Sequence, residues 1–172
     1  MEIFYQKKLG TGLHAVSLNT RLAKRAVLAT AGWIAAWPLF AGVVINEIHH
    51  DPDVKTELAE FIELHNTGTE PVDLSGWEIG DAVVFTFPDG SKIGSGGFVV
   101  VAHNPAQFKA KFGGSPLGPW LGKLDNDGER IELRDATGQL VDRVRYRLGF
   151  PWPIVGAPPG YSIELIHPDL DN

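Results

Sequence analysis

His49, His50, Asp51, Asp53, Glu57 and Glu60 gather metal-ligating side-chain types in one stretch. Imidazole suits zinc or copper, and carboxylates suit calcium or magnesium. Side chains alternate along a strand, so adjacent His49 and His50 point to opposite faces and a joint site is spoiled. A polar strand end is the expected reading. Asp125-Asn126-Asp127-Gly128 looks like part of a calcium loop, but Arg134 stands where the closing Glu is required. A plain hairpin turn is expected there instead. Glu60 and Glu63 are the residue types of a glycosidase pair, yet their odd spacing puts them on opposite faces, where they cannot flank one bond. Ser75 lies in Leu-Ser-Gly-Trp, which is not a nucleophile elbow. Gly94-Ser95-Gly96-Gly97 is not followed by a helix and so forms no phosphate cradle. No catalytic residue, metal ligand or cofactor is assigned, and the chain is read as non-enzymatic.

The better surface candidate is a set of arginines near the end of the chain. Arg134, Arg143, Arg145 and Arg147, joined by Arg130, can line the outer face of a hairpin between Ile131 and Tyr146. The planar guanidinium fork matches carboxylate and phosphate geometry. Glu129 and Glu132 interleave with them, so cross-strand ion pairing competes with any external partner. Trp120 and Trp152 sit in Pro- and Gly-rich loops, where an aromatic ring can stack on a sugar or cap the end of a folded layer.

The chain has 172 residues, 20 Gly, 12 Pro and no Cys. The many Gly and Pro between short apolar runs point to many turns and therefore many strands. The missing cysteines exclude disulfides, thiol catalysis and Cys-based zinc sites. Charge is unevenly spread. Residues 1–41 hold five Lys and Arg against one acid, and residues 42–172 hold ten against 20 acids. The acidic remainder opposes non-specific nucleic-acid binding.

Two segments follow from this division. Residues 1–41 are a leader: Arg21-Leu22-Ala23-Lys24-Arg25 precedes an uncharged run from Ala26 to Ile45. That is the pattern of a signal peptide, or of an uncleaved hydrophobic anchor helix. Membrane contact is expected only through this leader. Residues 42–172 form the folded domain. Gly42 to His49 reads as the first strand. In Ala59 to Asn66, Ile62 and Leu64 share one face, and Phe61, Glu63 and His65 the other. Asn66 and Gly68 are read as turn residues that tolerate positive φ. Trp77, Ile79, Val83, Phe85 and Phe87 continue at odd positions, out of phase with Val72 and Leu74, so a bulge at Ser75-Gly76 is expected. Phe98 to His103 is a central strand.

Asn104 to Gly113 is the single strong helix signal. Asn104 caps, Pro105 opens and Gly113 closes in the left-handed region. Phe108 and Phe112 face the sheets, and Lys109 and Lys111 face water. Two further strands surround the turn Asp135 to Gly138, and Leu140, Asp142, Val144 and Tyr146 share a face in the second. Asp142 is in phase with apolar residues, so either a bulge rotates it out or it is a buried carboxylate accepting hydrogen bonds. Tyr161 to His167 is the last strand. About eight short strands, one short helix and no βαβ alternation predict an all-β, antiparallel two-sheet sandwich.

Val44-Ile45-Asn46-Glu47-Ile48, Ala59-Glu60-Phe61-Ile62-Glu63-Leu64 and Val72-Asp73-Leu74-Ser75-Gly76-Trp77 occur in that order. Phe85-Thr86-Phe87-Pro88, Gly96-Gly97-Phe98-Val99-Val100-Val101, Gly128-Glu129-Arg130-Ile131, Val141-Asp142 and Tyr161-Ser162-Ile163-Glu164 complete the series. Together, across about residues 43–167, they resemble the lamin-tail domain in its bacterial, secreted form. The resemblance implies an immunoglobulin-like β-sandwich with no active site to transfer. Gly76, Trp77, Asn66 and Gly68 are its structural markers here. No heptad rod is present, so filament assembly of the lamin kind is not implied. The chain closes at His167 to Asn172, where relatives continue, which suggests a truncated product or the first domain of a longer protein.

The expected function is that of an exported interaction, adhesion or tethering module, secreted, periplasmic or at the cell surface. Its expected partner is a protein or an anionic surface polymer. A substrate-docking accessory domain of a larger extracellular hydrolase or spore-coat-kinase-like protein is the second reading. A carbohydrate- or metal-binding sandwich is the third.

Overall fold

The computed structural model describes residues 42–53, 58–147 and 160–165. The expected leader, Glu57 and Trp152 lie outside the described residues. The elements are β1 (Val43–His49), β2 (Phe61–Asn66), β3 (Val72–Asp73), β4 (Glu78–Asp81), β5 (Val83–Thr86), β6 (Lys92–Ile93), β7 (Phe98–Ala102), α1 (Pro105–Phe112), β8 (Leu121–Gly122), β9 (Arg130–Arg134), β10 (Leu140–Arg145) and β11 (Ile163–Glu164). One sheet runs β11-β1-β2-β7 and the other β10-β9-β4-β5-β8, with β3 and β6 as a separate ladder. Their pairings are antiparallel. The fold is the expected immunoglobulin-like sandwich. Eleven strands stand among the described residues against about eight expected. The excess arises because β3, β6 and β8 are two-residue strands and the run from Trp77 to Phe87 is split into β4 and β5. Of the expected last strand, Tyr161 to His167, only Ile163–Glu164 is paired, and residues 166–167 lie outside the described residues.

The core follows from alternation. Ile62 and Leu64 of β2 join Ile79, Phe85, Ile131, Leu133 and Val144 from the opposite sheet in one buried cluster. The other face of β2 carries a smaller cluster, Phe61 with Ala102 and Phe108, beneath α1. The side chain of Asn104 accepts from the backbone N–H groups of Ala106 and Gln107, which caps the helix. Gly113 has positive φ but extended ψ, so the helix closes without entering the left-handed helical region. Lys111 is not simply solvated, because it pairs with Asp53.

Three local expectations need correction. The phase change at Ser75-Gly76 is a tight turn, not a bulge. The Trp77 N–H bonds to the Leu74 carbonyl at 3.0 Å, and Gly76 sits at φ 72°, the positive φ that a turn with Gly in third place requires. The chain there leaves the β3–β6 ladder and enters the five-stranded sheet. Second, the run from Trp77 to Phe87 is a hairpin. β4 folds back on β5 around Ala82, with Asp81 at φ 76°, and an odd-numbered apolar set stays inward through such a fold. Third, Asp125 to Gly128 is a turn, with Gly128 N–H bonded to the Asp125 carbonyl. It joins β8 to β9, which are not paired, so it closes no hairpin.

Candidate functional site

The β9–β10 hairpin carries the arginine face. Ile131 and Leu133 are fully buried, so alternation turns Arg130, Glu132 and Arg134 outward. The register places Arg143 opposite Glu132 and Arg145 opposite Arg130. Glu132 is the hub. It accepts from Arg134 Nη2 at 2.5 Å and from Arg143 Nε at 3.0 Å, and Arg130 Nε lies 3.7 Å away. The Arg134 bond above all holds the Glu132 carboxyl below its ordinary value, with Arg143 and Arg130 adding to the effect. Arg130 also pairs with Asp81 across the neighbouring strand. Two of the four candidate arginines, Arg134 and Arg143, are therefore occupied internally.

Arg145 and Arg147 differ. Neither has a carboxylate partner among the described residues. They line a cleft of about 420 Å³ together with Arg130, Asp81, Asp127, Gly128 and Glu129. Glu129 is engaged from behind, where its Oε1 accepts from Asp125 N–H at 2.6 Å and lies 3.1 Å from the Tyr146 hydroxyl. Tyr146 is fully buried, and desolvation with the nearby Glu129 charge pushes its phenol far above the ordinary value. It stays a neutral anchor for this wall. The lining is mixed, three arginines against three acids, and Arg145 and Arg147 are the two of these arginines that pair with no carboxylate among the described residues.

The residues of metal-ligating type are dispersed. His49 stacks on Phe61 at 5.2 Å under α1, whereas His50 stacks on Tyr146 at 5.1 Å. Asp51 accepts from Asn126, and Asp53 pairs with Lys111. Among the described residues no group of three His, Asp or Glu stands in a metal-ligating arrangement. Glu60 and Glu63 also part company. Glu60 is buried, accepts from the Leu124 N–H at 3.1 Å and lies 3.7 Å from His103 Nδ1, while Glu63 takes the outer face. Burial pushes Glu60 above its ordinary value and His103 below its own, so both neutral forms are favoured. Trp120 stacks on His103 and is 2% exposed. It is a core residue and offers no ring to a sugar.

Of the structural markers, Trp77 is buried in the core, and Asn66 and Gly68 meet in one turn. Neither of those two lies at positive φ. A Cβ on Gly68 would stand 3.1 Å from Asn66 Oδ1, so close approach is what suits glycine here. Asn66 is expected from its type as a turn residue. Its complete burial carries no signal in residue type.

His49 supplies a pH prediction. Burial pulls it below the ordinary value of 6.5, with Lys111 also lowering it and the Tyr161 backbone opposing. On acidification the unfolded chain takes the proton first. Stability from this residue is thus full above pH 6.5 and lost as pH falls toward the folded-state value. Urea midpoints for His49→Phe are expected to fall less than the wild type between about pH 7.5 and about pH 5. An identical fall in both would show that His49 carries none of the slope.

A family model described as Lamin Tail Domain matches residues 40–147. No curated protein matches the chain.

Proposed function

The chain belongs to the lamin tail domain family, and from that premise we propose a non-catalytic, exported module that tethers its bearer to an anionic surface polymer. The family is a non-enzymatic, immunoglobulin-like one, often found in interaction roles, and this sets the class. The observation that carries the finer reading is the pair Arg145 and Arg147, unclaimed by carboxylates among the described residues and lining a cleft. Glu132 and Asp81 hold the other three arginines in ion pairs, so the contact surface narrows to these two.

The domain's acidic balance repels a long polyanion. Binding then depends on the local fork geometry and is lost at moderate salt. Retention of the chain on immobilised polygalacturonate, a carboxylated glycan, tests this. Each exposed charge contact contributes about 0.5 to 1 kcal/mol, so Arg145→Ser with Arg147→Ser is expected to weaken binding about tenfold. The control Arg134→Ser with Arg143→Ser removes arginines already spent on Glu132 and is expected to change retention little. Equal retention of wild type and the first double variant rejects the surface.

A further inference from the structure

We propose that β11 is a detachable clasp on the sandwich, held less firmly when a row of three glutamates across its seam is ionised. β11 consists of Ile163–Glu164. Its register on β1 sets Glu47 opposite Glu164 and Ile48 opposite Ile163. On the other side of β1, Glu47 lies opposite Glu63 of β2. Three carboxylates thus stand in line across three strands. A bulge creates the alignment. Asn46 is the extra residue between Ile45 and Glu47, and without it Glu47 would point into the core.

Directly opposed like charges weaken a strand pair, and Glu47 meets one on each side. The donors that serve the row are neutral. Asn46 Nδ2 donates to Glu63 at 2.9 Å, and the Ser162 hydroxyl donates to Glu47. No Lys or Arg among the described residues pairs with the three. The other facing groups do little to offset the charge. His49 on β1 is buried under α1 near Lys111, which itself pairs with Asp53. His65 on β2 stacks on Phe98. β7 sets the apolar Val100 opposite Glu63, and Asp142 of β10, a further acid, reaches β1 at the Ile45 N–H. Burial raises the Glu63 carboxyl above its ordinary value, Asn46 opposes this, and Glu47 and Glu164 add to it.

Four contacts among the described residues hold the clasp against this repulsion. Among them are the Ser162 hydroxyl bond to Glu47, which ionisation of Glu47 strengthens, and the Gly160 N–H bond to the Asp51 carbonyl at 2.7 Å. Ile163 is buried with the core, and the Leu165 N–H bonds to the Asn46 carbonyl at 2.8 Å. Release uncovers the β1 edge at Glu47 and Ile48. The row thereby couples the state of the seam to pH.

Amide hydrogen exchange of the full chain tests the clasp. The Leu165 protection factor, corrected for intrinsic exchange and taken relative to Ile62 in β2, reports local opening. It is expected to be about fivefold higher at about pH 4.5 than at about pH 7.5. Glu47→Gln and Glu164→Gln are each expected to raise protection at neutral pH and to remove most of the pH difference. The proposal is overturned by a Leu165-to-Ile62 ratio that stays constant with pH in the wild type. It is equally overturned by Glu47→Gln retaining the full wild-type difference.

Discussion

Asn66→Asp is expected to lower the unfolding free energy by about 4 kcal/mol at neutral pH, and Asn66→Ala by about 3 kcal/mol. Asn66 has no exposed surface. Its Oδ1 accepts from the Gly68 N–H at 2.9 Å, and its Nδ2 donates to the Glu70 carbonyl at 2.8 Å and the Gly94 carbonyl at 3.0 Å. Its backbone N–H bonds to the Gly97 carbonyl. One side chain therefore ties the end of β2, the turn after it and the segment between β6 and β7. Alanine removes the one buried side chain that joins these three segments and leaves a cavity in its place. Aspartate is worse, because it aims a second oxygen at two carbonyls.

The Asp variant also reverses the usual pH trend. A carboxyl forced against carbonyl oxygens is held protonated in the folded state, so its folded value is raised. Its contribution is present below the unfolded value of about 4 and lost as pH rises through the folded one. Urea unfolding across pH is expected to show the variant recovering toward the wild type in acid. A variant within about 1 kcal/mol of the wild type at neutral pH would mean that this network is not needed.

Alternation made the layers of this fold readable, and departures from alternation hid the site. Ile62 and Leu64 against Glu63 and His65 locate both faces of β2 from residue type alone. Gly113 and Asn104 bracket α1 within a residue. Asn46 sits in an ordinary apolar–polar strand, so nothing in its type announces the bulge that lines up Glu47 with Glu63 and Glu164. The β4–β5 turn escaped because Trp77 to Phe87 keeps inward residues at odd positions whether the chain runs straight or folds back at Ala82. The arginine face was visible as a set. Which arginines are spent depends on strand register, and register placed Glu132 beside Arg134 and Arg143 while leaving Arg145 opposite Arg130. Arg145 and Arg147 emerge as the available pair only once that pairing is known.

Asp142 is a half-buried carboxylate that accepts hydrogen bonds, and the bulge beside it is present but does not rotate it out. A bulge between Leu140 and Asp142 shifts the strand, which moves Leu140 off the inner face and lets Val141 pack on the core. The carboxylate still turns inward. Its Oδ2 accepts the Ile45 N–H at 2.7 Å, and its Oδ1 accepts the Arg143 N–H at 2.8 Å. Ile45 belongs to the opposite sheet, beside the Asn46 bulge and beyond the reach of β11. The β10 carboxylate thus bridges the two layers and satisfies a backbone donor that the sheet ladder leaves over. Asp142→Ala is expected to cost about 2 to 3 kcal/mol, since a charge-assisted bond is lost and the N–H of a buried residue is orphaned. Asp142→Asn is expected to cost about 1 kcal/mol, because the amide oxygen can keep Ile45 while its NH₂ meets another donor at Arg143. The two predictions separate bridging from packing. Hydrogen exchange at Ile45 should rise sharply in the Ala variant and modestly in the Asn variant, with Leu133 tracking only the global change. Equal exchange at Ile45 in both variants and the wild type would remove the bridge and leave the bulge alone to explain the position of Asp142.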